Sequence, residues 1–145
     1  VDHTKLPVLK NKIDYLQGYL SVNDSGITRI RIFKKTGILC IKSKSSGISR
    51  DEFEYEIPYE DATRLIKLSE GSIIKKTRAK LDFKDKLWEI DEFHDRNKGL
   101  WIAEVELRNE NESIEVPPWA TKEVTLDERY YNSFLCYKPY DTWSI

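Results

Sequence analysis

The sequence lacks several features that would narrow its function at once. Its 145 residues include no methionine and no apolar run long enough to cross a membrane, and no signal peptide is visible. Only two cysteines are present, Cys40 and Cys136, which is too few for a disulfide scaffold in a chain of this size. We therefore expect free thiols, a cytoplasmic setting and no membrane partner.

A surplus of charge of one sign is also absent. Lysine and arginine number 24 against 25 aspartates and glutamates, so the formal net charge is −1. A general nucleic-acid binder normally carries a basic excess, so we expect no nucleic-acid partner. The balance does not exclude a single site in which charges of both signs are concentrated.

Charged residues are nevertheless abundant, at 34% of the chain, and they alternate with apolar residues along much of it. A period of two is typical of β-strands, and it predicts strands at 27–33, 38–44, 50–57, 73–80, 87–93 and 100–107. Pro58 ends the strand before a helix predicted over 60–68, which Gly71 ends, and a second helix is predicted over 127–137, capped by Asp127. The pattern predicts an α+β, mainly β fold of antiparallel strands.

The charges fall on one face of these strands, because alternate residues of a strand point the same way. Like charges are paired within a strand, as in Arg29 with Arg31 and Glu104 with Glu106. Such pairs cost free energy unless an ion of opposite charge lies between them. The alternative is an ordinary amphipathic sheet with a solvated polar face. The paired full charges favour a charged interior over that alternative.

A charged interior of this kind suits a ligand that carries both phosphates and a metal ion. Arginine and lysine bind polyphosphate oxygens, and arginine can do so with two hydrogen bonds at once. Carboxylate pairs suit a hard divalent cation such as Mg²⁺ or Mn²⁺. Phosphoryl transfer requires both kinds of group in one site.

A series of short motifs resembles the CYTH, or triphosphate tunnel metalloenzyme, superfamily through nearly the whole chain. The matching segments are Gln17-Gly18-Tyr19-Leu20, Arg29-Ile30-Arg31, Ile41-Lys42, Arg50-Asp51-Glu52-Phe53-Glu54, Lys76-Thr77-Arg78, Trp88-Glu89-Ile90-Asp91-Glu92-Phe93, Ala103-Glu104-Val105-Glu106-Leu107, Pro118-Trp119, Glu123-Val124-Thr125 and Arg129-Tyr130-Tyr131-Asn132-Ser133. Each segment alone is a weak signal, and their common order makes the match strong.

The resemblance implies a closed eight-stranded antiparallel β-barrel, the tunnel, with a few covering helices, built as a single domain by residues 1–145. It implies divalent-metal-dependent hydrolysis of a triphosphate, most favourably inorganic tripolyphosphate, with Mg²⁺ or Mn²⁺ as cofactor. The residues implied to bind phosphates are Arg29, Arg31, Lys42, Lys76 and Arg78. The residues implied to hold metal are Glu104 and Glu106, with Asp91 and Glu89 as further acidic candidates. The pair implied to act in catalysis, by orienting the attacking water or binding a second metal, is Glu52 and Glu54.

Three departures from the family pattern leave alternatives open. Cys40 stands where threonine is common in the family, and Ala79 stands where tyrosine is common. A Glu-x-Glu-x-Lys motif at the start of the first strand is absent, and we expect it to precede Val1, so that the first strand begins outside this sequence. Without that motif, a non-catalytic triphosphate- or polyphosphate-binding module becomes the better interpretation. Adenylate cyclase and thiamine triphosphatase activities also stay open, as does the oligomeric state, a homodimer included.

Overall fold

One antiparallel sheet organises the part of the chain that the computed structural model describes, residues 1–43, 51–109 and 111–144. Its seven strands are β1 (Ile13–Asn23), β2 (Gly26–Phe33), β3 (Thr36–Ser43), β4 (Glu52–Ile57), β5 (Glu70–Phe83), β6 (Lys86–Phe93) and β7 (Trp101–Val105). Their order across the sheet is β4-β3-β2-β1-β5-β6-β7, and every neighbouring pair is antiparallel. The predicted mainly β, α+β class is confirmed. Lys44 and Arg50, which were predicted at strand ends, lie outside the described residues.

Short helices and 3₁₀ turns accompany the sheet. Helix α1 (Tyr59–Leu65) follows Pro58 and continues as a 3₁₀ turn over Ile66–Leu68. Helix α2 (Asn132–Leu135) is the other described α-helix, and the remaining 3₁₀ turns are His3–Lys5, Asp95–Asn97, Glu128–Tyr130 and Tyr140–Thr142. None of the described helices is long and apolar enough to cross a membrane.

Two details of the predicted helices are wrong. Gly71 does not end the first helix, because it lies inside β5 with a φ of +69°. The helix predicted over 127–137 is interrupted at Tyr131, whose backbone is extended, with φ −74° and ψ 138°. Asp127 accepts a hydrogen bond from the backbone nitrogen of Arg129, but it caps only the short turn before that break. Residues on both sides of the break, Tyr130 before it and Leu135 after it, pack in the same core cluster.

The sheet curls around its charged face but does not close within the described residues. Strand β4 pairs only with β3, and β7 pairs only with β6, among the strands that the structure describes. The eight-stranded closed barrel is therefore not confirmed. Side chains from β3 and from β7 nevertheless line one cavity, so the two sides of the sheet bend towards each other.

The polar face of the sheet is its inner, buried face. Its most buried polar side chains belong to Gln17, Arg29, Lys76 and Asp91, which are at most 8% exposed. On the outer face, α1 and its 3₁₀ turn cover Ile30 and Ile32, whereas Phe53 and Tyr55 on β4 are 50% and 55% exposed. A solvated polar face would leave Arg29, Lys76 and Asp91 exposed, so the charged side of the sheet is an interior.

Candidate functional site

A cavity of about 470 Å³ opens on the inner face of the sheet. All five cations predicted to bind phosphate line it, and these are Arg29, Arg31, Lys42, Lys76 and Arg78. Glu104 of β7 is the only carboxylate among the described lining residues. Cations therefore outnumber carboxylates by five to one on the cavity wall, which attracts a polyanion.

Arg29 is a buried cation of this cavity that the protein pairs only weakly. Its side chain is 9% exposed, and its Nη2 atom lies 4.0 Å from the nearest Glu54 carboxylate oxygen. Its Nε atom is buried and has no hydrogen-bond partner among the described residues. A buried donor left unpaired costs about 1–3 kcal/mol. An acceptor supplied by a ligand in the cavity would remove that cost.

Arg31 and Arg78 lie on the same aromatic side chain. The guanidinium carbon of each is 5.4 Å from the centroid of the Tyr15 ring, within the range of cation–π attraction. The Nε atom of Arg31 also donates to Gln17 Oε1 at 2.8 Å. Burial lowers the pKa of Arg31, and the neighbouring charges of Arg29 and Arg78 lower it further. The site therefore holds like charges close together, as their pairing in the sequence indicated.

Asp91 is the buried counter-ion of Lys76 and Arg78. Lys76 Nζ donates to Asp91 Oδ2 at 2.9 Å, and Arg78 grips both carboxylate oxygens, with Nε at 2.7 Å and Nη2 at 2.9 Å. The strand register places Asp91 directly opposite Arg78. Burial lowers the pKa of Lys76, whereas hydrogen bonds from Arg78 and Lys76 outweigh the effect of burial and lower the pKa of Asp91. Asp91 therefore orients both cations, and its predicted role as a metal ligand stays a prediction.

Of the other predicted metal ligands, Glu89 belongs to this ion network and Glu104 lies beside it. Glu89 Oε2 accepts a hydrogen bond from Arg78 Nη1 at 3.0 Å, and Glu89 pairs with Glu104 across β6 and β7. Glu106 lies beyond the end of β7 and is exposed. The structure thus brings Glu89 and Glu104 to neighbouring positions and places Glu106 outside the strand.

A second acidic group lies beside the cations of β2 and β3. Ligand atoms of Cys40, Glu52 and Glu54 all lie within 4.8 Å of one another. Burial raises the pKa of the Cys40 thiol, so this sulfur is a protonated, poor ligand for a hard cation. The two carboxylates are of the type that Mg²⁺ and Mn²⁺ prefer, as is that of Glu104 on the cavity wall. By donor type, these three acids fit the metal that the resemblance implies.

Several lining residues were not assigned to the site from the sequence. They are Gln17, Tyr19, Ile27 and Cys40 from the strands, and Tyr130, Tyr131, Asn132 and Ser133 from residues 127–137, which we call the C-terminal segment. Strand parity in β1 is a signal that could have found Gln17 and Tyr19. No local pattern places the C-terminal segment at the cavity, because its position depends on the packing of Leu135 and Cys136 in the core.

Comparisons with known proteins agree with this geometry. The chain is 45% identical over 127 residues to an inorganic triphosphatase of Acetivibrio thermocellus, covering 87% of this chain and 81% of that protein. It is 35% identical over 123 residues to an inorganic triphosphatase of Nitrosomonas europaea, covering 82% of this chain and 81% of that protein. The crystal structure of the inorganic triphosphatase NE1496 matches with a TM-score of 0.71 at 31% identity, over 91% of this chain and 90% of that one. A model of the CYTH domain matches residues 7–133, and the chain therefore belongs to the CYTH family.

Proposed function

We propose that this protein hydrolyses an inorganic triphosphate, with tripolyphosphate as its substrate. The observation that carries the proposal is the cavity wall of five cations and one carboxylate, where the buried Nε atom of Arg29 has no partner among the described residues. A linear triphosphate offers negative charge and acceptor oxygens along its whole length, which is what such a row of cations requires. The similarity to two inorganic triphosphatases supports the same class of substrate.

In the proposed mechanism, cations from the strands on either side of β1 hold the phosphate chain. Arg29, Arg31 and Lys42 approach from β2 and β3, and Lys76 and Arg78 approach from β5. Their fixed charges stabilise the negative charge that moves onto the leaving pyrophosphate as the bond breaks. The ion pair with Asp91 keeps Lys76 and Arg78 oriented before substrate arrives, so little reorganisation is needed during reaction.

The proposed reaction uses Mg²⁺ or Mn²⁺, which Glu104 would hold, while Glu52 and Glu54, whose ligand atoms lie within 4.8 Å of each other, could hold a second ion. When bound, such an ion polarises phosphate oxygens and offsets their charge. Glu52 and Glu54 also orient the attacking water. Its oxygen forms a bond to the terminal phosphorus while the anhydride bond breaks, so that tripolyphosphate and water give pyrophosphate and orthophosphate without a covalent enzyme intermediate.

We further propose that the curled sheet serves as the tunnel for this substrate and that the protein works in the cytoplasm. The presence of cavity walls from both β3 and β7 supports the tunnel. Cys40 and Cys136 are free and buried, which supports a reducing compartment.

Phosphate release from tripolyphosphate in the presence of Mg²⁺ or Mn²⁺ tests the proposal. We expect turnover by the wild-type protein and none after chelation of the metal with EDTA. Glu104→Gln should lower the rate by more than the roughly 10- to 100-fold loss caused by removing a mere partner of a metal ligand. The matched control is Glu60→Gln, which makes the same change at an exposed position on α1 and should leave the rate unchanged.

Two outcomes would contradict the proposal in different ways. If the wild-type protein binds tripolyphosphate without hydrolysing it, the protein is a binding module and not an enzyme. If the wild type and Glu104→Gln turn over at the same rate, Glu104 is not a metal ligand, although the protein is still a triphosphatase.

A further inference from the structure

A chain of hydrogen bonds links the cations of β2 and β5 through two neutral amides. Arg31 Nε donates to Gln17 Oε1 at 2.8 Å, and Gln17 Nε2 donates to Asn132 Oδ1 at 3.2 Å. Lys76 Nζ donates to the same Asn132 oxygen at 3.2 Å. Gln17 is 1% exposed, and its side-chain oxygen and nitrogen both take part in this series of hydrogen bonds.

Arg31 and Lys76 fix the orientation of the two side-chain amides, Gln17 and Asn132. Arginine and lysine side chains have donors only, so the oxygen of Gln17 must face Arg31, and the oxygen of Asn132 must face Lys76. The nitrogen of Gln17 then faces Asn132 and donates to the same oxygen. A flipped Asn132 would place its NH₂ group against two donors and lose both hydrogen bonds. The Nδ2 atom of Asn132 is therefore directed away from Gln17 and Lys76.

Asn132 lines the cavity, and its Nδ2 atom has no acceptor among the described residues. We propose that Asn132 binds the phosphate chain of the substrate by donating from Nδ2, and that Gln17 positions it for this task. This inference rests on the proposed function, because it assigns the ligand of the cavity as a triphosphate. A carboxamide adds two neutral donors to a site that already has a surplus of cations, and it does so without further like-charge repulsion.

The C-terminal segment is anchored well enough to hold Asn132 in place. Leu135 and Cys136 are buried in the same core cluster as Tyr19 and Ile74 of the sheet. The backbone oxygen of Cys136 accepts a hydrogen bond of 2.7 Å from the backbone nitrogen of Ser72 in β5. Asn132 thus sits on a segment that is fixed to the sheet just beyond it, which is what a positioned donor requires.

Titration calorimetry with tripolyphosphate, in EDTA so that no turnover occurs, tests the inference. Asn132→Asp keeps the volume and the oxygen that Lys76 and Gln17 contact, but it replaces the free donor by an acceptor. We expect it to bind about 10- to 100-fold more weakly, the range for a lost hydrogen bond to a charged group, while its melting temperature stays equal to that of the wild type or rises. Asn132→Leu removes the donor without adding charge and should bind about 10-fold more weakly.

Gln17→Met tests the positioning role. It should weaken binding, and the loss in the double variant with Asn132→Leu should be smaller than the product of the two single losses, because Gln17 acts partly through Asn132. Asn111→Asp is the matched control, because it makes the same amide-to-acid change at an exposed position that does not line the cavity.

The outcomes separate this inference from the proposed function. If Asn132→Leu folds and binds tripolyphosphate like the wild type, the inference is overturned. This holds even if Asn132→Asp binds weakly, because the added charge alone would then explain its weaker binding. If Asn132→Leu does not fold, Asn132→Asp decides, and binding within twofold of wild type overturns the inference. Failure of the wild type to bind tripolyphosphate overturns the proposed function together with this inference.

Discussion

At the scale of single residues, Arg29 carries a cost that the folded protein does not offset. The side chain is buried, its Nε atom has no partner among the described residues, and its charge lies close enough to lower the pKa of Arg31. Burial, an unpaired donor and repulsion between like charges all destabilise the free protein. Functional sites often contain such groups, so Arg29 serves binding rather than stability.

Arg29→Met should therefore stabilise the free protein and damage its binding. Methionine fills a similar volume without a charge or an unpaired donor, so we expect the free energy of unfolding to rise by about 1–3 kcal/mol. Tripolyphosphate should raise the melting temperature of the wild type and have much less effect on the variant. Thermal melts with and without tripolyphosphate measure both effects. A variant that is less stable than the wild type would contradict this account of Arg29.

Asp91→Asn should have the opposite effect on stability. Removing the carboxylate leaves Lys76 and Arg78 buried without their counter-ion, which typically costs about 3–5 kcal/mol. Glu89→Gln is the matched control, because Glu89 contacts the same Arg78 but its side chain is 36% exposed, and it should cost less than about 1 kcal/mol. Urea denaturation measures both values, and equal losses would show that Asp91 is not the central counter-ion.

At the scale of elements, the close contact between β5 and the C-terminal segment gives the site its end wall. It depends on Gly71, whose φ is +69° and where an added Cβ would lie 2.3 Å from the backbone oxygen of Cys136. Beside it, the Tyr137 hydroxyl donates to Glu70 Oε2 at 2.6 Å. A glycine in β5 thus allows the segment that carries Asn132 to reach the cavity.

Gly71→Ala should lower the free energy of unfolding by about 1–3 kcal/mol, through backbone strain and the clash together. Gly99→Ala is the control for strain alone, since Gly99 has a φ of +97° but an added Cβ would be 3.7 Å from its nearest neighbour, Tyr140. We expect a smaller loss there, about 1 kcal/mol. Urea denaturation compares them, and tripolyphosphate binding should weaken only in Gly71→Ala. Equal effects of both variants on binding would contradict the role of this contact.

The Cys136 thiol, which lies in the same region, should lower the stability of the fold at alkaline pH. Burial raises the pKa of the Cys136 thiol from about 9 to about 11. Between these values the unfolded chain loses the thiol proton while the folded protein keeps it, so this group lowers stability as the pH rises from about 9 to about 11. The difference in unfolding free energy between wild type and Cys136→Ala should therefore shrink over that window. A difference that stays constant would show that the thiol titrates alike in both states.

At the scale of the whole molecule, the sequence predicted most of the strands and the charged interior because strand parity is a local property. It could not predict that Asp91 pairs with cations, since this depends on the register of β5 and β6. It also missed the break at Tyr131 and the position of Asn132, which depend on packing between distant parts of the chain. Closure of an eight-stranded barrel was predicted from the family resemblance and is not found among the described strands.

The curled sheet and its cavity lead to one central claim, that water attacks the terminal phosphorus of a bound triphosphate. The most direct test is to incubate the protein with tripolyphosphate and Mg²⁺ in ¹⁸O-labelled water and to follow the products by ³¹P NMR. We predict one orthophosphate and one pyrophosphate per tripolyphosphate, with the label in the orthophosphate. Unchanged tripolyphosphate, or label found in the pyrophosphate, would contradict the claim.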